Sequence, residues 1–349
     1  MKVGFYSPYL DIFGGGERYI LTLASHMSQK EEVEVFWDDT AIKAPLSKFL
    51  KIDLSNTRFT PNIFNEKNIN RFLSTRIYDL IFVLSDGSIP LSFAKKNILH
   101  FQVPFIINNI SMSSRIKLKS YKYIIANSYF TKRFIDKSFN VNSQVIYPPV
   151  DIHSLKPKQK EKIILSVGRF GKNQLHPKKQ EVLIEVFKEL YKMKNDWKLY
   201  LVGQAKKEDQ KYLRQLRKSS AGFAIRIIDN ATQQQLTDLY SKASLYWHAT
   251  GYGVDEQKFP QKMEHFGIST VEASASGAVP VVINHGGQKE IVTENKDGLL
   301  WSTKTQLLQK TLNLIQDSKK MKMLAAGAIN NSKRFSKEVF IKRYEEIIY

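Results

Sequence analysis

Short apolar runs rich in β-branched and aromatic residues recur at Val3 to Tyr6, Val33 to Trp37, Leu80 to Leu84, Ile98 to Phe101, Tyr123 to Ala126 and Val145 to Tyr147. Their length and chemistry predict buried strands. Helical spacing lies between them. After Gly16, the residues Ile20, Leu21, Leu23, Ala24 and Met27 fall on one side of a 3.6-residue spiral. Glu17 to Gln29 therefore reads as an amphipathic helix following the first strand. The alternation restarts at Ile163 to Val167 and continues through Leu199 to Val202, Ile225 to Ile228, Leu245 to Trp247 and Val279 to Ile283, with a helical run from Glu181 to Met193. Strand and helix in alternation predict an α/β chain with two parallel sheets.

Between the two series lies Pro148-Pro149-Val150-Asp151, then Lys156-Pro157-Lys158-Gln159-Lys160, a proline-stiffened polar stretch suited to neither helix nor strand interior. We read it as the hinge between two doubly wound domains, expected to face each other across a cleft at the carboxyl ends of their strands. A chain of 349 residues with 42% hydrophobic content can bury two cores. No apolar run approaches the roughly 18 to 20 residues that cross a bilayer, and the start turns polar and glycine-rich where a signal peptide would stay apolar. A soluble, unprocessed protein is expected. Zero cysteines exclude disulfides and thiolate metal sites and fit a reducing compartment, so the cytoplasm is the expected location.

The formal charge of +20 changes the picture, because such a surface attracts polyanions, anionic membranes or phosphorylated substrates. From Lys95 to Lys137 nine basic residues stand against Asp136 alone. This segment is a candidate electropositive face for an anionic membrane, and a merely solvated lysine-rich surface is the plain alternative.

The densest chemistry lies in Glu264-His265-Phe266-Gly267-Ile268-Ser269-Thr270-Val271-Glu272 and the following Ala273 to Val282. Gly267 breaks the chain, Ser269 or Thr270 can cap a helix, Glu272 is expected in its first turn, and Gly277 ends it. A helix start with free N–H groups is an anion site, and a carboxylate one turn in can reach ribose hydroxyls. Neutralising the helix dipole is the alternative role for Glu272.

Two glutamates separated by seven residues, the Phe-Gly-Ile-Ser turn and the run Glu-Ala-x-Ala-x-Gly-x-Val-Pro-Val-Val together resemble the donor site of the GT4 family of retaining glycosyltransferases. Gly14-Gly15-Gly16-Glu17-Arg18 resembles that family's N-terminal glycine turn, and Ile146 to Asp151 its interdomain segment. Ser166-Val167-Gly168-Arg169 with Lys178 resembles its phosphate-binding strand end, and Gly286 to Val292 its next turn. The resemblance runs in order over nearly the whole chain. It implies a GT-B fold with an N-terminal acceptor-binding domain over 1–152 and a nucleotide-sugar-binding domain over 153–334. A C-terminal helix near 335–349 would pack back on the first.

Carried over residue by residue, the resemblance assigns Arg169 and Lys178 to the donor diphosphate and Glu272 to the ribose. Glu264, with the backbone of Phe266, Gly267, Ile268 and Ser269 and the neighbouring Thr270, would hold the transferred sugar. His100 matches a position where the family often has a histidine near the reacting sugar, so Glu264, Lys178, Arg169 and His100 are the expected catalytic set. Gly15 and Gly16 would let the backbone approach the donor. One departure is Lys179, where the family often has glycine. Trp247, His248 and the Gly251-Tyr252-Gly253 loop are read as lining the cleft, without an assigned role.

No two aspartates are separated by a single residue, so the metal-binding pattern of the other major glycosyltransferase architecture is missing. The resemblance implies no cofactor and no metal, with fixed cations meeting the leaving phosphate. A Gly-x-Gly-x-x-Gly after the first strand is also missing, which disfavours a nicotinamide dehydrogenase. The Glu-His-Phe-Gly-Ile form resembles mannosyltransferases acting on lipid-linked oligosaccharides. GDP-mannose therefore leads among donors, with UDP-hexoses beside it and a glycan or lipid-linked acceptor as partner. A sugar phosphorylase or nucleotide-sugar epimerase of the same fold stays open as an alternative. A basic nucleic-acid-binding protein would explain the charge but not the paired glutamates, and nucleic acid is not an expected partner.

Overall fold

The structure is a computed structural model that describes residues 1–349, the side chain of Asn68 excepted. It divides into unit 1, Met1–Pro149 with Glu338–Tyr349, and unit 2, Val150–Lys337.

Unit 1 holds β1 (Lys2–Tyr6), β2 (Glu32–Phe36), β3 (Thr57–Thr60), β4 (Leu80–Ser85), β5 (Lys96–Phe101), β6 (Tyr123–Ala126) and β7 (Gln144–Val145). They form one sheet in the order β3-β2-β1-β4-β5-β6-β7, every pairing parallel. Every residue of β4 is buried, as expected for a central parallel strand covered on both faces. One face packs the helix Gly15–Met27 and the C-terminal residues Phe340, Ile341, Tyr344 and Ile348. On the other, Phe64, Tyr78, Leu99, Leu118, Tyr121 and Phe139 share a second core.

Unit 2 holds β8 (Glu161–Val167), β9 (Lys198–Gly203), β10 (Ile225–Asp229), β11 (Ala243–His248), β12 (Val279–Ile283) and β13 (Leu299–Trp301). The order is β10-β9-β8-β11-β12-β13, again wholly parallel. Counted from its own first strand, this is the doubly wound order 3-2-1-4-5-6. Its core joins Leu183, Phe187, Leu201, Trp247 and Trp301.

Two strands escape the sequence pattern. In β3 only Thr57 and Phe59 are buried, and β13 is three residues long, so neither supplies a run long enough to read. The apolar run at Val145 to Tyr147 is cut short after Val145, before the two prolines that cannot donate to a ladder. The expected hinge stretch is tied into unit 2 from Val150 onward. Val150 N–H donates to Phe335 O at 3.0 Å, and Lys160 Nζ donates to the carbonyls of Ser241 and Ser276 at 2.9 and 2.5 Å.

Candidate active site

Unit 2 gathers charge at the carboxyl ends of β8, β11 and the segment before the helix Ile268–Ala275. After β8 the chain passes Gly168 and Arg169 and returns through His176 to Lys178 before the helix Gln180–Met193 begins. Gly168 leaves room for this return, since a Cβ there would lie 2.8 Å from Lys178 Cγ. Lys178 Nζ donates to Glu264 Oε2 at 2.6 Å, and His248 Nε2 lies 2.8 Å from the same oxygen. The Lys178 and Glu264 side chains are only 15% and 12% exposed.

Burial alone would push the Glu264 carboxyl up. The Lys178 ammonium, and then the His248 hydrogen bond, outweigh it and hold the group well below the usual carboxylate range. Burial pushes the His248 imidazole down despite Glu264. A neutral His248 that donates through Nε2 leaves Nδ1 as an acceptor, and Nδ1 has no partner among the described residues. Thr250 Oγ1 lies 3.2 Å from the same Nε2. His176 lies tilted against His265 at 5.0 Å between centroids and is likewise held neutral, by burial and then by Lys178. Lys178 and Glu264 thus form a buried opposite-charge pair braced by a neutral histidine.

The helix Ile268–Ala275 starts beside this pair, and its start differs from the expected one. Its N-cap is Gly267 at φ 124, not Ser269 or Thr270, because only glycine takes that conformation without strain. Gln288 Nε2 would also stand 2.2 Å from any Cβ there. The two hydroxyls serve packing instead. Ser269 Oγ accepts from Tyr246 OH at 2.8 Å, and Thr270 Oγ1 donates to Gln288 Oε1 at 2.9 Å. The N–H groups of Ile268 and Ser269, at the first two helical positions, therefore have no intrahelical acceptor. Phe266 is buried against Phe335, fixing the approach to the turn. Gly287 N–H donates to Glu264 O at 2.8 Å, so the Gly286-Gly287 turn braces the backbone of the carboxylate.

Glu272 is the fifth residue of this helix rather than part of its first turn, which removes the simple dipole-neutralising role. It is half-buried and accepts from Tyr240 OH at 2.9 Å. At the other end Gly277 adopts φ 76, and the N–H groups of Gly277 and Ala278 cap the carbonyls of Ser274 and Ala273. Arg169 is exposed and engaged in no ion pair among the described residues. Its backbone is held by Gln180 Nε2 at 3.1 Å.

The unit 1 candidates lie on the elements around their own sheet. Gly15 and Gly16 form the first turn of the helix Gly15–Met27, which begins two residues before the expected Glu17. Glu17 accepts the Gly14 N–H at 2.5 Å, half of a capping box. A Cβ on Gly16 would stand 2.9 Å from Gln102 Oε1. His100 lies within β5, 0% exposed, its ring stacked on Tyr19 at 3.9 Å. Burial pushes it down to about 3, and neither ring nitrogen has a partner among the described residues. His100 is thus the penultimate residue of β5, as its run predicts, and a buried neutral ring within unit 1.

Sequence reasoning left His248 without a role and missed Glu256. Glu256 accepts Gly286 N–H at 2.8 Å and Lys289 Nζ at 3.3 Å, tying the loop after β11 to the glycine turn. It stands in a polar stretch with no periodicity, so no local signal marks it.

One comparison with known proteins falls on this half. The sequence profile of glycosyl transferases group 1 matches residues 150–331. A GDP-Man:Man(3)GlcNAc(2)-PP-Dol alpha-1,2-mannosyltransferase of Dictyostelium discoideum is 28% identical over 249 residues, 65% of this chain and 47% of that protein. The Homo sapiens protein of the same description is 25% identical over 181 residues, 48% of this chain and 35% of that protein. The chain thus spans about half the length, or less, of the curated relatives it matches. Among solved structures, a glycosyltransferase from Rickettsia africae superposes with a TM-score of 0.76 at 18% identity, covering 99% of this chain and 97% of that one. The Anabaena protein HepE in complex with UDP and glucose gives 0.73 at 19% identity over 100% and 99%. These likenesses establish two Rossmann-like halves of the GT-B class. By the profile match over more than half its length, this chain belongs to the glycosyl transferases group 1 family.

Proposed function

We propose that the protein is a retaining hexosyltransferase of the GT4 type. It transfers a sugar, mannose from GDP-mannose foremost or a hexose from a UDP-sugar, to a glycan or lipid-linked acceptor in the cytoplasm, without a metal or other cofactor. The observation that carries this reading is the Lys178–Glu264 pair, held at 2.6 Å beside the open helix start at Gly267. A nucleoside diphosphate leaving group develops negative charge as its bond to the sugar breaks. Lys178, Arg169 and the N–H groups of Ile268 and Ser269 are the positive groups available to it, and such preorganised donors stabilise the transition state more than the ground state. Glu264, kept ionised, can accept hydrogen bonds from sugar hydroxyls once Lys178 turns to phosphate. Glu272 and its Tyr240 brace suit a ribose.

The assignment of donor and acceptor class is supported by the mannosyltransferase relatives, whose names give GDP-Man and Man(3)GlcNAc(2)-PP-Dol as substrates. In the front-face scheme the departing phosphate oxygen takes the acceptor proton, the acceptor oxygen bonds the anomeric carbon, and the nucleoside diphosphate leaves from the same face. The test is NMR of the first-formed product with excess EDTA present. An α-linked donor must give an α-linked product at undiminished rate. A β-linked product overturns the mechanism, and loss of turnover in EDTA overturns metal independence.

A further inference from the structure

Unit 1 carries an outward face that the donor chemistry does not use. The helix Asn68–Arg76 exposes Ile69 at 76% and Leu73 at 52%, with Phe72 between them and Ile77 just beyond. These positions, spaced three and four apart, form one apolar stripe turned to solvent. Phe93 extends it, packing edge-on against Phe72 at 4.8 Å, while Arg76 lies 5.3 Å over the Phe72 ring. The helix Met112–Leu118 repeats the pattern, exposing Met112 at 75% and Ile116 at 60% while burying Leu118.

The two helices are linked within unit 1. Tyr78, two residues after the first helix, and Leu118, in the second, share one core with Ala94 and Tyr121. The segment between them is stitched to each, Phe93 N–H donating to Thr75 Oγ1 at 3.1 Å and Asn97 Nδ2 donating to Ala94 O and Ser120 O at 3.3 and 3.2 Å. Charge singles out the same stretch. Between Lys67 and Lys137 there are twelve lysines and arginines against three acidic residues, whereas residues 1–66 carry seven basic and nine acidic ones. Arg115, Lys117 and Lys119 flank the exposed Ile116 and are engaged in no ion pair among the described residues.

Exposed apolar side chains set among unpaired cations are poorly served by water alone, and this combination is also what separates a membrane face from a nucleic-acid groove. A polyanion in water would meet the cations but leave Ile69, Leu73, Met112 and Ile116 without partners. The headgroup region of an anionic bilayer satisfies both, with cations at the phosphates and apolar tips below them. We propose that this face, the helices Asn68–Arg76 and Met112–Leu118 with Phe93, docks the protein on an anionic lipid bilayer. The inference goes beyond the donor chemistry and stands independently of which sugar is transferred.

The test is cosedimentation of the full chain with vesicles of phosphatidylcholine alone and of phosphatidylcholine mixed with phosphatidylglycerol. Binding is expected to the mixed vesicles only and to weaken as salt rises. Each cation near such a surface contributes about fivefold to partitioning, so replacing Arg115, Lys117 and Lys119 together by glutamine should lower it roughly 100-fold. Met112→Asn with Ile116→Asn should remove the part of binding that survives salt. Replacing Lys206, Lys207 and Lys211 of unit 2 by glutamine should leave binding nearly unchanged. Equal loss in that control would assign the attraction to net charge and overturn the proposal. So would binding to both vesicle types or to neither, or concentration-dependent dimerisation abolished by Ile116→Asn in a chain that ignores vesicles. A thermal shift with nucleoside diphosphates on the same samples separates failure of docking from failure to fold or to bind donor.

Discussion

Unit 1 and unit 2 place a turn after their first strand and send a helix away from it, yet the two turns carry different chemistry. In unit 1 the turn runs from Ser7 to Gly14 and carries a short 3-10 helix at Leu10–Ile12. Its helix begins at Gly15, and Glu17 in the first turn of that helix is engaged with the Gly14 N–H. In unit 2 the chain runs from Gly168 to Lys179 before its helix begins, long enough to carry Arg169, His176 and Lys178 around the strand end. The imidazoles differ in the same sense. His100 is neutral because it is packed among aromatic rings with no polar partner, whereas His248 is neutral but hydrogen-bonded to a carboxylate. One strand order thus supports a packed polar-poor core in one half and a charged constellation in the other, as expected if fold supplies the platform and side chains supply the function.

The strongest way to break this contrast is Lys178→Ala. Its ammonium is the buried cation in contact with Glu264, and we expect turnover to fall on the order of 10² to 10³-fold, with donor affinity changed far less. Steady-state kinetics alongside calorimetric donor binding would check this. Equal losses in both would make Lys178 a ground-state binder and weaken the assignment of leaving-group chemistry to unit 2.

The unit 1 half of the contrast is tested by acid. The folded state lowers His100 from its ordinary value to about 3, so the unfolded chain binds the proton more readily. That stability is complete above about pH 6.5 and is lost as pH falls through the window toward 3, by about 1.4 kcal/mol per pH unit within it. Beside the low-titrating His176 and His248 of unit 2, histidine-selective NMR should show an imidazole that stays neutral down to about pH 3 and vanishes in His100→Phe. Titration of that ring near 6.5 would mean that water or a partner reaches it.

A smaller effect separates nucleotide recognition from catalysis within unit 2. Glu272→Ala should weaken nucleoside diphosphate binding about tenfold, near 1.4 kcal/mol, and Tyr240→Phe should give part of that loss by freeing the carboxylate. Unchanged affinity by calorimetry would remove Glu272 from the ribose site.

Much of this arrangement was legible in the sequence where the signal was local. Runs such as Leu80 to Leu84 and Val279 to Ile283 announce central strands because burial on both faces demands continuous apolar chemistry. Gly267 and Gly277 announce a helix between breaks. What stayed hidden depends on distance along the chain. Lys178 and Glu264 are 86 residues apart, and their 2.6 Å contact follows from sheet order, not spacing. His248 reads as one more polar residue at a strand end until β11 sets it opposite Glu264. Helix boundaries were blurred for a local reason. Two hydroxyls at 269 and 270 look like caps, but a glycine with positive φ took that place and freed them to bond sideways.

Lys179 offers the finest probe of how the catalytic turn is held. It caps the helix Gln180–Met193 at φ 55, a left-handed conformation that a β-carbon disfavours by about 1 to 2 kcal/mol, and it stands where the resembled family often has glycine. Lys179→Gly should relieve that strain. Glycine also gives the unfolded chain more freedom, which offsets about 0.5 to 1 kcal/mol of the gain. A net stabilisation of at most about 1.5 kcal/mol is therefore expected in denaturant unfolding of the full chain. Turnover should be nearly unchanged, because the Glu264 contact is made by Lys178 and the backbone path to it is preserved. A marked loss of turnover in Lys179→Gly, with stability intact, would instead show that the second lysine shares the phosphate chemistry. The left-handed turn would then serve to present two cations rather than one.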